Sequence, residues 1–293
     1  MTRAIARNTW TSLALPALLL VGLVGVIAAQ AGVLALPKSP AEGVFMPATV
    51  VVPAHAYGYR APGEYLRAGT VADAPRIEAE GVALEIMTYQ VTAADYRACV
   101  AEGACKAAEP RRRGDGNVPV TGVSYRDATD YAAWLSARTG ARWRLPSVAE
   151  WSFAAGSKAV DTALGIETDA ANPAARWIAA YEKEASLERA LATPQPIGSA
   201  GVNEFGLADL SGNVWEWTAT CGSRTSLDAG GGQVTGIENC GVRYLEGQHR
   251  TAMSHFVRDA VAGGCSTGVP PDNLGFRLVR ERPWYAPLID WFA

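Results

Sequence analysis

Residues 206–217, GLADLSGNVWEW, constrain this chain more than any other stretch: two indoles bracket one carboxylate. Alternate side chains of an extended segment face opposite ways, so Trp215 and Trp217 share a face and Glu216 takes the other. Two rings on one face call for a buried surface. An unpaired buried charge is costly, so Glu216 needs an arginine, several N–H donors or a cation. Asn213 and Glu216 can each offer oxygen to a hard cation such as Ca²⁺, with backbone carbonyls completing the shell. The other reading is a structural carboxylate bonded to backbone amides.

The 293 residues carry a formal net charge of −3, and the only basic run is Arg111, Arg112 and Arg113. No nucleic-acid partner is expected from that balance. The run itself reads as a solvated loop. Gly and Pro are frequent (30 and 17 residues), and helical stretches are few and short. One irregular, loop-rich domain rather than a helical bundle follows. Three helix starts repeat one device, a hydroxyl followed three residues later by an acid: Thr92 and Asp95, Ser124 and Asp127, Ser147 and Glu150. Each pair predicts a capping box. Tyr131, Trp134, Leu135 and Arg138 fall on one side of the second helix, which ends at Gly140. Residues 49–53 and 82–89 read as strands, and Tyr57, Tyr59 and Tyr65 as a loop over the core.

Arg3 and Arg7 precede an uncharged run over residues 8–37. This predicts a transmembrane helix within 11–36, with residues 1–10 cytoplasmic and the bulk exported. A single-pass inner-membrane protein with a periplasmic domain is the expectation. The competing reading is a signal peptide removed at Ala29-Gln30-Ala31. Residues 37–48 then form a linker, 49–281 the domain and 282–293 a tail. The tail carries Trp284, Tyr285, Trp291 and Phe292, which suit a bilayer interface, a partner or the domain itself. The five cysteines fit an oxidising compartment, with Cys99–Cys105 and Cys221–Cys240 as local disulfides and Cys265 left over.

Residues 206–217 also resemble the central signature of the formylglycine-generating enzyme (sulfatase-modifying factor) family. Four further stretches resemble that family in the same order: YQVTAADY (89–96), PVTGVSYRDA (119–128), RLPSVAEW (144–151) and NLGFR (273–277). The resemblance implies an irregular C-type-lectin-like α+β fold. It implies calcium held by the Asn213 and Glu216 side chains and the Gly212 and Val214 carbonyls. The family's known activity converts a sulfatase cysteine to formylglycine with oxygen and copper held by two cysteines, a soft pair suited to Cu(I).

This chain departs from that pattern. Counting back from Asn273 places the two family cysteines at His249 and Ser254, neither of them a thiol. Copper at that position, and the oxidase activity with it, are therefore not expected. His249, Met253, His255 and Cys265 do hold the ligand types of another metal site, although their spacing matches no known copper pattern. The leading expectation is a membrane-anchored accessory, maturation or interaction factor with an unidentified periplasmic protein partner. Such chains resemble accessory proteins of periplasmic copper nitrite reductases in denitrification. The alternatives are an oxidoreductase with an altered metal site at His249, His255 and Cys265, and a carbohydrate or small-ligand binder using the lectin-like surface.

Overall fold

Three capping boxes set the helices of the computed structural model, which describes residues 23, 45–114, 116–166, 174–186, 193–228, 230–259 and 273–282. Helix α1 is Ala93–Ala101, α2 Tyr125–Thr139 and α3 Val148–Ala155. Thr92, Ser124 and Ser147 each accept from the third helical N–H, and Asp95, Asp127 and Glu150 answer the cap N–H. Each box satisfies donors that a helix start otherwise leaves open. Gly140 ends α2 at φ 70°, a left-handed turn that costs glycine little. A fourth helix, α4, spans Ala174–Ser186.

The first strands are β1 (Thr49–Val52), β2 (Ala56–Arg60), β3 (Glu64–Arg67), β4 (Thr70–Ala72), β5 (Arg76–Glu80) and β6 (Leu84–Met87). A two-residue strand, β7 (Trp143–Arg144), lies between α2 and α3. The long hairpin is β8 (Trp215–Leu227) and β9 (Gln233–Glu246), followed by β10 (Thr251–Ser254), β11 (Leu274–Gly275) and β12 (Val279–Arg280). One sheet runs β1-β6-β12-β7; a second runs β10-β9-β8-β3-β4, with β11 parallel to β8; β2 and β5 form a separate pair. The mixture of short helices and small sheets is α+β, as expected.

Two cores result. In the first, Tyr96 and Tyr131 from α1 and α2 pack with Trp217 and Phe276. In the second, Trp151 and Phe153 from α3 pack with Val52, Ile86 and Leu207. Both predicted disulfides are present, Cys99–Cys105 and Cys221–Cys240.

The tyrosine stretch is not a loop. Tyr57 and Tyr59 lie in β2 opposite Ala79 and Ile77 of β5, and Tyr65 lies in β3 opposite Ala72 of β4. Pro62 and Gly63 break the chain only between the two strands, and stacking of Tyr57 on Tyr59 (5.5 Å) supports the ladder. Among the described residues no helix is long and apolar enough to cross a membrane. The anchor expected at 11–36 (Leu23 apart), the aromatic tail beyond Arg282 and Cys265 lie outside those residues.

Candidate functional site

Glu216 is 1% exposed and Arg277 0%, and they meet in the centre of the molecule. β8 carries the carboxylate, and β11, which pairs Gly275 with Glu216, delivers the arginine two residues later. Arg277 donates from Nε to Oε2 (2.6 Å) and from Nη2 to Oε1 (2.7 Å). Gln90 Nε2 adds a bond to Oε1 (2.8 Å), and Trp151 Nε1 adds one to Oε2 (2.9 Å). The rest of the guanidinium reaches the Thr88 carbonyl (3.1 Å) and the Ala208 carbonyl (2.8 Å). A forked, fully bonded pair of this kind offsets its own desolvation.

That geometry settles which reading of Glu216 the residues fit. Each carboxylate oxygen already accepts two donors, one of them a guanidinium that would repel a cation. Asn213 faces elsewhere: its Oδ1 accepts from the Gln195 N–H (2.9 Å), and its Nδ2 donates to the Gln195 carbonyl (2.8 Å). The set Gly212, Asn213, Val214 and Glu216 therefore does not fit Ca²⁺, and Glu216 is a structural carboxylate. Its donors are side chains rather than the backbone amides expected. Trp215, Glu216 and Trp217 are all buried.

The loop before β8 holds strained backbone. Asp209, Ser211 and Asn213 have φ of 59°, 57° and 64°, a region open to Asp and Asn more readily than to other side chains. Asp209 is fully buried and accepts from the Gly198 N–H (2.6 Å) and the Ala200 N–H (2.8 Å). These bonds over-determine the loop, the condition under which such strain persists.

The ungapped count back from Asn273 falls on β10 and the turn before it. Ser254 ends that strand opposite Val242 of β9, and His249 sits in the preceding turn. The His249 ring meets Trp215 edge-on at 5.4 Å, and its backbone carbonyl accepts from Trp215 Nε1 (3.1 Å). His249 Nδ1 is buried without a protein partner. Burial lowers the His249 pKa, so the ring is neutral near pH 7. Next to it Arg250 pairs with Glu246, which stands opposite Glu216 across β8 and β9. Burial pushes the Glu246 carboxyl above the usual range despite the pull of Arg250.

Copper held by two thiolates does not fit here. The two positions offer an imidazole and a hydroxyl, and the four described cysteines are bonded to one another in disulfides. His255 turns its Nδ1 to the Gly241 carbonyl (2.9 Å), and Met253 is packed in the core. Among the described residues the one trio of ligand atoms within reach of a common ion is Cys221, Glu238 and Cys240, whose sulfurs are already joined. Among the described residues His249 and His255 belong to no such trio, and Cys265 lies outside those residues. Gln90, Glu246 and Arg250 escaped the sequence reading; Glu246 stands opposite Glu216 only because β9 folds back on β8.

Comparison with known proteins matches the geometry. The sulfatase-modifying factor enzyme 1-like domain matches residues 36–282. The chain is 37% identical over 109 residues to the formylglycine-generating enzyme of Mycobacterium tuberculosis, covering 35% of this chain and 33% of that one. It is 31% identical over 167 residues to the inactive C-alpha-formylglycine-generating enzyme 2 of Bos taurus, covering 54% and 49%. The matches thus span between a third and a half of these relatives' lengths. The structure of PvdO from Pseudomonas aeruginosa shares the fold, with a TM-score of 0.52, 24% identity, and coverage of 84% of this chain and 100% of that one. With the buried Arg277–Glu216 pair at its centre, this chain belongs to the sulfatase-modifying factor enzyme 1-like domain family.

Proposed function

We propose that this chain is an exported accessory or maturation factor that keeps the family scaffold without its oxidase chemistry. One observation carries the reading: the ungapped count back from Asn273 meets His249 and Ser254 rather than thiols, beside an intact Arg277–Glu216 node. A two-sulfur Cu(I) site needs both thiolates. The bovine relative described as inactive is consistent with a family whose members do not all catalyse. Two disulfides suit an oxidising compartment, and the apolar run over residues 13–29 suits an anchor, which together favour the periplasmic side of an inner membrane.

The partner class that fits best is a periplasmic metalloenzyme, with a copper nitrite reductase of denitrification as the specific form. The test is nitrite reduction, and copper content of the reductase, in cells lacking this chain. Both are expected to fall and to be restored by the native chain and equally by a His249→Asn variant. Unchanged nitrite reduction and copper loading would exclude this partner. Rescue by the native chain but not by His249→Asn would favour the altered metal site, a reading to which the unpartnered His249 Nδ1 lends support.

A further inference from the structure

A cavity of about 300 Å³ opens between α1 and the loop stretches 107–114 and 116–121. Arg97 from α1 and Arg112 and Arg113 from the loop line it, and Tyr96, Val100 and Val120 form apolar wall. Among the described residues no acidic side chain lines it, in a chain with 29 acidic against 26 basic residues. Among the described residues none of the three guanidiniums has a hydrogen-bonded or ion-paired partner. Elsewhere the arginines are mostly paired: Arg60, Arg144, Arg176, Arg250, Arg258 and Arg277 each hold a carboxylate.

The loop that brings the cations together is braced. Its ends are tied by the Glu109 N–H to the Gly122 carbonyl (3.0 Å), and its far side by the Ala93 N–H to the Val118 carbonyl (2.9 Å). The Ile197 N–H bonds the Asn117 carbonyl (2.9 Å). At Gly114 a Cβ would stand 2.1 Å from the Pro194 carbonyl oxygen, so only glycine allows this close approach. A braced backbone lowers the ordering cost of binding.

We propose that this cavity binds a small organic polyanion, with an apolar body against Tyr96, Val100 and Val120 and two or three carboxylate or phosphate groups on Arg97, Arg112 and Arg113. Arginine forks match such oxyanions bidentately. The volume, about 300 Å³, sits at the small-ligand end of known pockets. His249 and Ser254 do not line the cavity, so the site is separate from the β10 region and stands independently of the accessory role.

The test is calorimetric titration of the full chain with benzoate, isophthalate and trimesate, which add one carboxylate at a time to one apolar ring. Sulfate at matched ionic strength controls for screening, and hexaglutamate tests an acidic peptide. Affinity is expected to rise with each carboxylate, to exceed that for sulfate, and to fall about tenfold for each of Arg97→Ala, Arg112→Ala and Arg113→Ala. Thermal melting of each variant checks its fold. Absence of binding by trimesate, binding unchanged in all three variants, or binding of hexaglutamate without trimesate would each overturn the proposal.

Discussion

Arg277 and the Arg97–Arg112–Arg113 group hold the same side chain in opposite states. Arg277 has no exposure and meets four acceptor groups, the Glu216 carboxylate among them. The other three stand at an open cavity with none. Burial without a partner would be prohibitive at the first position; hydration tolerates it at the second. The buried charge is thus satisfied within the chain, whereas these three are left to solvent or to a ligand.

The contrast breaks first at its buried end. Arg277→Ala leaves the Glu216 charge uncompensated in the core and is expected to cost about 3–5 kcal/mol or abolish folding. Urea denaturation measures it; a loss under 1 kcal/mol would remove the node from the scaffold. Replacing both Cys221 and Cys240 by serine is expected to cost about 3 kcal/mol, because the bridge closes a loop between residues 19 apart. That loss should appear as a lower urea midpoint, with the Arg277–Glu216 core still folded.

The paired acids add a pH arm. Burial alone would raise Asp127 and Glu150, but hydrogen bonds from Arg258 and Ser124, and from Arg144 and Ser147, outweigh it and hold both below the usual carboxylate range. A depressed folded pKa gives stability that is present above the unfolded value and lost as pH falls through the folded one. Urea midpoints should therefore drop on acidification below about pH 4. Asp127→Asn should flatten that drop; an unchanged acid profile would mean that the Arg258 pair contributes nothing. The smallest effect belongs to the exposed cations: Arg112→Ala is expected to change stability by at most about 0.5 kcal/mol while weakening trimesate. Destabilisation comparable with Arg277→Ala would make Arg112 a scaffold residue and erase the contrast.

What the sequence discloses follows from distance along the chain. The capping boxes join residues three apart, and Cys99 and Cys105 are six apart, so local reading finds them. Trp215, Trp217 and Phe276 are core by character, and the quoted motifs contain them. The partners of Glu216 are another matter. Gln90 is 126 residues away, Trp151 65 and Arg277 61, and only the topology joins them. The calcium expectation rests on oxygens that the sequence discloses, whereas the donors that meet Glu216 come from other strands and helices. The cationic cavity was hidden likewise, since Arg112 and Arg113 read as a solvated run until α1 sets Arg97 beside them. In β2 and β3 the glycine and proline signals are real, but partners in β5 and β4 override them.

We propose a retained scaffold whose metal-binding sulfurs are gone. Mass spectrometry of a sulfatase-type cysteine peptide, incubated in air with the purified chain and Cu(I), tests it most directly. The cysteine should come through unconverted while a catalytically competent relative converts it under the same conditions. Aldehyde formation that depends on this chain would show that the oxidase chemistry survives without those sulfurs.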